Sequence, residues 1–265
     1  MIAAQSIRMY IDVHCHLNDS AFDDVESVVE EMRRLGVGFA LCAGCDMESS
    51  YKAKELAEKY PEIYFCAGFQ PQEVNKYRDG DVEKLRALCR HEKCLAVGEI
   101  GLDYHWEDNP SKEWQKEVFS MQLRLADEEG LPVVIHSRDC AGDMQQFLTE
   151  NTARLRHGYL LHCYSHSAEQ SEAFVKTGGY FSFGGTATFD NSRKTVKSVA
   201  RIPLDRILTE TDSPYLTPEP KRGQFPNTPA NIPFIAKKLA EIRGVSETEL
   251  TERVVLNAKR LFKKW

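Results

Sequence analysis

Two histidines, His14 and His16, close the first apolar run of the chain, Met9-Tyr-Ile-Asp-Val-His-Cys-His16. Residues i and i+2 of an extended segment share one face, so the two imidazoles stand side by side where a divalent cation can sit. A lone His beside a strand is ordinarily a satisfied polar group, and a metal site takes three or four donors. The pair is therefore a fragment that other segments must complete. Glu99, in Val97-Gly-Glu-Ile-Gly-Leu-Asp103, and His136, His162 and Asp212 each follow another short apolar run. Four imidazoles and two carboxylates suit one or two zinc, manganese or other transition-metal ions better than calcium or magnesium, which favour all-oxygen shells. Nickel and magnesium stay open. A carboxylate such as Glu99 can bridge two ions about 3.5 to 4 Å apart, the arrangement that serves phosphoester hydrolysis.

The elements that must position these groups follow from periodicity. Eight β-rich runs, near residues 9–13, 38–43, 63–68, 95–98, 132–135, 158–161, 180–183 and 206–209, alternate with amphipathic stretches such as 25–35, 48–59, 112–129 and 168–177. That alternation predicts an α/β chain of βα units around a parallel sheet, and eight repeats predict a closed (β/α)8 barrel. Gly36, Gly130 and Gly178 stand where helices must reverse. Residues 246–262 read as one extra C-terminal helix, with Ser246 and Glu249 at capping-box spacing. Active sites of such barrels sit at the C-terminal ends of the strands. His14 and His16 end strand one, Glu99 strand four, His136 strand five, His162 strand six and Asp212 strand eight.

Composition fits one globule spanning residues 1–265, with 42% hydrophobic and 28% charged residues and no linker-like or low-complexity run. The N-terminus has neither a basic n-region nor a long apolar core, and no stretch nears the length of a membrane span. A cytoplasmic protein without membrane association is expected. The eight Cys read as reduced thiols, and Cys42-Ala-Gly-Cys45, with no second such pair, reads as structural. A net charge of −6 excludes a broadly basic nucleic-acid coat but not a local cationic groove. Lys221 and Arg222 in a Pro/Gly-rich loop are candidates for phosphate contact, whereas Arg193, Lys194 and Lys197 read as a solvated face.

Asp12-Val-His-Cys-His-Leu17, Gly98-Glu-Ile-Gly-Leu-Asp-Tyr104, Ile135-His-Ser-Arg-Asp139, Leu161-His-Cys-Tyr164 and Glu210-Thr-Asp-Ser-Pro-Tyr215 together resemble the motifs of the TatD family of metal-dependent hydrolases, in order and spacing. Asn227-Thr-Pro229 and Asn257-Ala-Lys-Arg-Leu-Phe262 resemble its closing motifs, so the likeness covers nearly the whole chain. The resemblance implies a TIM barrel of the amidohydrolase type, with His14, His16, Glu99, His136, His162 and Asp212 as metal ligands. It implies a deoxyribonuclease or related phosphoester hydrolase acting on DNA, or on RNA or tRNA, with no obligate protein partner. The family also includes members assigned to removing D-amino acids from tRNA, so ester hydrolysis by a D-aminoacyl-tRNA deacylase is the alternative activity. A catalytically silent metal-binding partner protein is a further alternative, against which the intact ligand set speaks.

Within that frame Asp212 is the expected general base, with Glu99 bridging. Arg138, Gln70, Tyr104 and His166 are expected to bind substrate, Asp103 to accept from a ligand His, and Asp139 to steady a ligand. One departure stands out. Where the family shows Gly-x-His-Pro-His, this chain has Gly68-Phe-Gln-Pro-Gln72. Glutamine can hydrogen-bond a phosphate but cannot shuttle a proton near neutral pH as histidine does.

Overall fold

The computed structural model describes residues 9–265. Residues 1–8, on which the expectation about a leader partly rests, lie outside the described residues. Eight strands occur, β1 (Tyr10–Cys15), β2 (Val37–Ala43), β3 (Ile63–Ala67), β4 (Cys94–Asp103), β5 (Val133–Arg138), β6 (Tyr159–Leu161), β7 (Gly179–Phe183) and β8 (Ile207–Thr209). Parallel ladders join them in the order β1 to β8. Every residue of β1, β4 and β8 is buried, as expected of a parallel sheet covered on both sides.

The seam between β1 and β8 is closed by a mixed set of hydrogen bonds. Thr209 Oγ1 donates to the Ile11 carbonyl (2.6 Å), Thr211 N–H to Asp12 Oδ1 (3.0 Å), Asp212 N–H to the His14 carbonyl (2.9 Å) and His16 N–H to the Ser213 carbonyl (2.7 Å). The chain is thus a (β/α)8 TIM barrel.

The helices α1 (Val25–Arg34), α2 (Met47–Lys59), α3 (Asp81–Cys89), α4 (Lys112–Glu129), α5 (Ala141–Glu150), α6 (Ala168–Lys176), α7 (Arg193–Arg201) and α8 (Ile232–Arg243) follow the strands in turn, and α9 (Glu247–Leu261) is the extra C-terminal helix. Their starts are chemically marked. Asp46 and Ser167 form reciprocal capping boxes with Ser49 and Gln170, and the Ser246 side chain accepts from Glu249 N–H at the start of α9. Gly36, Gly130 and Gly178 all have positive φ. The aromatic rings of Phe262 and Trp265, beyond α9, pack on Phe39 of β2.

Three strands run further than their apolar stretches. β1 extends to Cys15 and β4 to Asp103, because their C-terminal halves bury polar side chains that a hydrophobic pattern does not count, and β5 runs on through half-buried His136 and Ser137 to exposed Arg138. Asp12, His14 and Asp103 have no exposed surface, and Glu99 only 2%. Arg193, Lys194 and Lys197 lie exposed on α7, the solvated face expected of them. Among the described residues no helix is long and apolar enough to cross a membrane.

Candidate metal centre

β1 delivers His14 from within the strand and His16 just beyond it, because Asp12 ties the strand down. Its carboxylate accepts from the backbone N–H of His14 (3.1 Å) and of Thr211 (3.0 Å), and it also bonds the Thr211 hydroxyl. Burial pushes the Asp12 carboxyl up to about 8, against those hydrogen bonds, which favour the anion. The His14 and His16 Nε2 atoms lie 3.2 Å apart, and Asp212 Oδ1 lies 3.7 Å and 3.5 Å from them respectively. Asp212 adopts a left-handed backbone conformation (φ 55°), sparsely populated by residues other than glycine.

Glu99, in the long C-terminal half of β4, faces both halves of the site. Its Oε2 is 3.5 Å from His14 Nε2 and 3.7 Å from His16 Nε2, and its Oε1 is 2.8 Å from His136 Nδ1 and 2.9 Å from His162 Nε2. His136 Nδ1 and His162 Nε2 are themselves 3.4 Å apart. The glycine two residues beyond Glu99 permits this approach. Gly101 has φ +143°, and a Cβ there would stand 2.0 Å from the His136 carbonyl oxygen.

The partners behind the histidines fix their orientation. Asp103 Oδ2 lies 2.8 Å from His136 Nε2, so a proton on that nitrogen is accepted and Nδ1 is left facing Glu99. Ala43 O lies 3.3 Å from His16 Nδ1. Glu210 Oε2, held by the Ser182 hydroxyl (2.6 Å), lies 3.7 Å from His162 Nδ1. The rings of His14 and His162 stack, with centroids 3.7 Å apart.

The electrostatics reflect this alternation of imidazole and carboxylate. Burial would raise the Glu99 pKa, but the charge of His162 and bonds with His136, His14 and His162 outweigh it and hold it well below the ordinary range. Burial is likewise outweighed at Asp212, whose pKa is lowered by the His16 hydrogen bond and the charges of His162 and His14. Burial and the neighbouring His162 depress His14. His162, beside Glu99 and Glu210, is raised despite its burial.

The donor set fits a divalent cation. His14, His16 and Asp212 form one group able to hold an ion, and His14, Glu99 and His162 another. Imidazole nitrogens and carboxylate oxygens crowd together here, and with the imidazoles deprotonated they are the donor set that zinc, manganese and related ions take. The structure brings all six sequence-assigned ligands together, His136 entering through its contacts with Glu99 and His162.

Sequence reasoning missed two members of the neighbourhood. Cys45, just beyond β2, lies 3.6 Å from His16 Nδ1 and 4.0 Å from Glu99 Oε2, and forms a third group with them. Treating Cys42 and Cys45 as a couple hid it. The strand-end rule applied to β2 would have found it. Glu210 stands in a quoted motif but is buried in β8's exit, where its position says nothing of its partner.

The remaining assignments divide. Arg138 ends β5 exposed, and its guanidinium lies 5.3 Å from the Trp106 ring. It does not pair with Asp139, whose carboxylate instead meets His105 Nδ1 at 2.6 Å. Asp139 therefore steadies no ligand, and Asp103 takes that part. Tyr104 is half-buried and donates to Asp143 (2.9 Å). His166 is buried, not exposed on a loop. Its Nε2 meets the Ser137 hydroxyl at 2.6 Å, it offers substrate little surface, and burial lowers its pKa to about 4. Gln70 is half-buried, with its backbone N–H bonded to the Cys45 carbonyl (3.0 Å).

A (β/α)8 barrel that gathers such a donor set at the C-terminal ends of its strands belongs to the class of metal-dependent hydrolases. The model of the TatD-related DNase family matches residues 11–263. The chain is 40% identical over 256 residues to the uncharacterized metal-dependent hydrolase YabD of Bacillus subtilis, across 96% of this chain and 99% of that one. It is 32% identical over 260 residues to the 3'-5' ssDNA/RNA exonuclease TatD of Dickeya dadantii, across 95% and 97% of the two chains. The crystal structure of YjjV, a TatD homologue from Escherichia coli K12, superposes with a TM-score of 0.91 at 32% identity, over 97% of this chain and 99% of that chain. The chain belongs to the TatD-related DNase family and is a metal-dependent hydrolase.

Proposed function

We propose that the protein is a phosphodiesterase that cleaves nucleic acid in the cytoplasm, with His14, His16, Glu99, His136, His162 and Asp212 as the ligands of one or two divalent ions. The observation that carries this reading is Glu99. One carboxylate oxygen faces His14 and His16 and the other faces His136 and His162. Divalent ions held by the two histidine sets on either side of this carboxylate would stabilise the attacking and leaving oxygens of a phosphoester. The exonuclease activity in the name of the Dickeya dadantii relative supports nucleic acid as the substrate class.

Bound metal would supply Lewis acidity, lowering the pKa of a water and neutralising phosphate charge. The chain's own groups do the rest. Asp212, held anionic by His16 and the neighbouring imidazoles, accepts the proton of the attacking water at its carboxylate and returns it to the leaving oxygen. Asp103 holds His136 in one orientation through Nε2. Arg138, exposed at the end of β5, takes a phosphate oxygen of the substrate. Gln70 lies where the family's histidine stands in the resemblance, and its amide can hydrogen-bond a phosphate but not carry a proton, so proton transfer falls to Asp212.

Metal-loaded protein with manganese, magnesium or zinc is tested on single-stranded DNA, p-nitrophenyl phosphates and D-aminoacyl-tRNA. EDTA-sensitive cleavage of DNA is the expected result. Release of D-amino acid with no cleavage of either phosphoester would replace this reading by deacylation, and no EDTA-sensitive turnover on any of the three would favour a silent binding role.

A further inference from the structure

Five large hydrophobic side chains stand well exposed among the described residues, Tyr51, Trp106, Tyr215, Phe225 and Leu256. Scattered exposed rings need no explanation. Three of these five, however, are aromatic and ride on the segments that leave the C-terminal ends of β4 and β8, the side of the barrel that holds the metal centre.

They fall on opposite edges of that centre. Tyr215 follows Asp212 by three residues and donates its backbone N–H to the Asp212 carbonyl (3.0 Å). The ring of Phe225 lies 6.5 Å from that of Tyr215, centroid to centroid. Trp106 lies on the other edge, against Arg138, whose strand carries His136 two residues earlier. His105 meets the indole edge-on at 4.6 Å. Half of the Trp106 surface and half of the Tyr215 surface remain open to solvent.

Both edges carry cations despite the acidic whole, and the edge of Tyr215 and Phe225 is firmly built. Thr217 Oγ1 donates to the Gln224 carbonyl (2.6 Å), and Asn227 Nδ2 donates to the carbonyls of Tyr215 (2.7 Å) and Thr211 (3.1 Å), closing the loop that presents Tyr215 and Phe225. Lys221 and Arg222 occupy that loop, and Arg138 backs Trp106. Exposed aromatics interleaved with cations are the means by which proteins hold single-stranded nucleic acid. Each stacked base contributes about 1 to 3 kcal/mol whatever its identity. A loop held in place before binding loses little entropy when it stacks.

We propose that Trp106 with Arg138, and Tyr215 with Phe225, are base-stacking platforms on either side of the scissile phosphodiester, each holding a flanking base whatever its identity. This rests on the phosphodiesterase reading and adds to it where the flanking bases sit. A base inside a duplex has both faces covered by its stacked neighbours, so a duplex must open before the bases on both sides of a cleaved bond can lie on these rings.

The test compares kcat/KM for an oligo-dT strand with that for bis(p-nitrophenyl) phosphate, which has no base to stack. Trp106→Ala, and Tyr215→Ala with Phe225→Ala, should each lower that ratio by about 5- to 150-fold. Trp106→Phe should restore most of it. An oligonucleotide with abasic sugars next to the cleaved bond should show the same loss on the wild-type protein, and no further loss on the Ala variants. Binding of a fluorescent phosphorothioate oligo-dT to the metal-loaded protein, which needs no turnover, should weaken in parallel. If neither phosphodiester is hydrolysed, the phosphodiesterase reading fails and this binding measurement still decides the platforms. An unchanged ratio with unchanged oligonucleotide binding in both Ala variants overturns the proposal and leaves the rings to a protein partner.

Discussion

At the scale of single residues the centre is a balance of burial against pairing. Asp212 is anionic only because His16, His162 and His14 outweigh its desolvation. Asp212→Asn keeps the shape but removes the proton acceptor. It should lower kcat by at least about 100-fold while far-UV circular dichroism and thermal unfolding stay those of a folded barrel. Near-normal turnover would take Asp212 out of the reaction. His166 shows the opposite case, an imidazole buried without a carboxylate partner and pushed down to about 4. Its folded form binds fewer protons than its unfolded form between pH 4 and about 6.5, so stability falls as pH drops through that window, by on the order of 3 kcal/mol. His166→Gln should flatten the urea-unfolding profile between pH 6.5 and 4. A slope unchanged in that variant would assign the acid sensitivity to other groups.

Among the elements, β4 and the β1–β8 seam set the geometry. The ten-residue β4 carries Glu99 and Asp103 four residues apart, where both reach His136, and Gly101 between them lets β5 come close. Gly101→Ala introduces a side chain at φ +143° and 2.0 Å from the His136 carbonyl oxygen. It should cost upwards of about 2 kcal/mol in unfolding free energy. It should also lower the metal content of the purified protein, because β5 must retreat and take His136 with it; unchanged metal stoichiometry by elemental analysis would show that the strand pair tolerates the shift. The seam depends on polar groups, with Asp12 joining the strand of His14 to the segment of Asp212. This is why the apolar runs at residues 9–13 and 95–98 end short of the strands observed. In β1 and β4 hydrophobicity marks the lower half, and the polar groups of the upper half are buried with hydrogen bonds that no periodicity records.

For the whole molecule, closing the barrel crowds imidazoles and carboxylates into one volume, and a bound cation relieves that crowding. Metal bound only by the folded state stabilises it by RT ln(1 + [L]/Kd). Chelation by EDTA should therefore lower the melting temperature, and added manganese or zinc should restore it in a concentration-dependent way. A melting temperature indifferent to EDTA in protein shown to have lost metal would separate the centre from the stability of the barrel. What the sequence determined alone was the repeat of eight βα units, the helix cap at Ser246 and the reversing glycines, and the six candidate ligands, because each follows from local period or from its place after a strand. Tertiary structure decided the partners. Asp103 rather than Asp139 holds His136, Cys45 joins the centre while Cys42 stays in the core, His166 turns inward to Ser137, and Trp106 and Tyr215 are left on opposite edges of the mouth. These depend on how neighbouring strands are staggered and where their loops fold back. Such relations are set between segments far apart in the chain, where spacing along the sequence carries no record of distance in space.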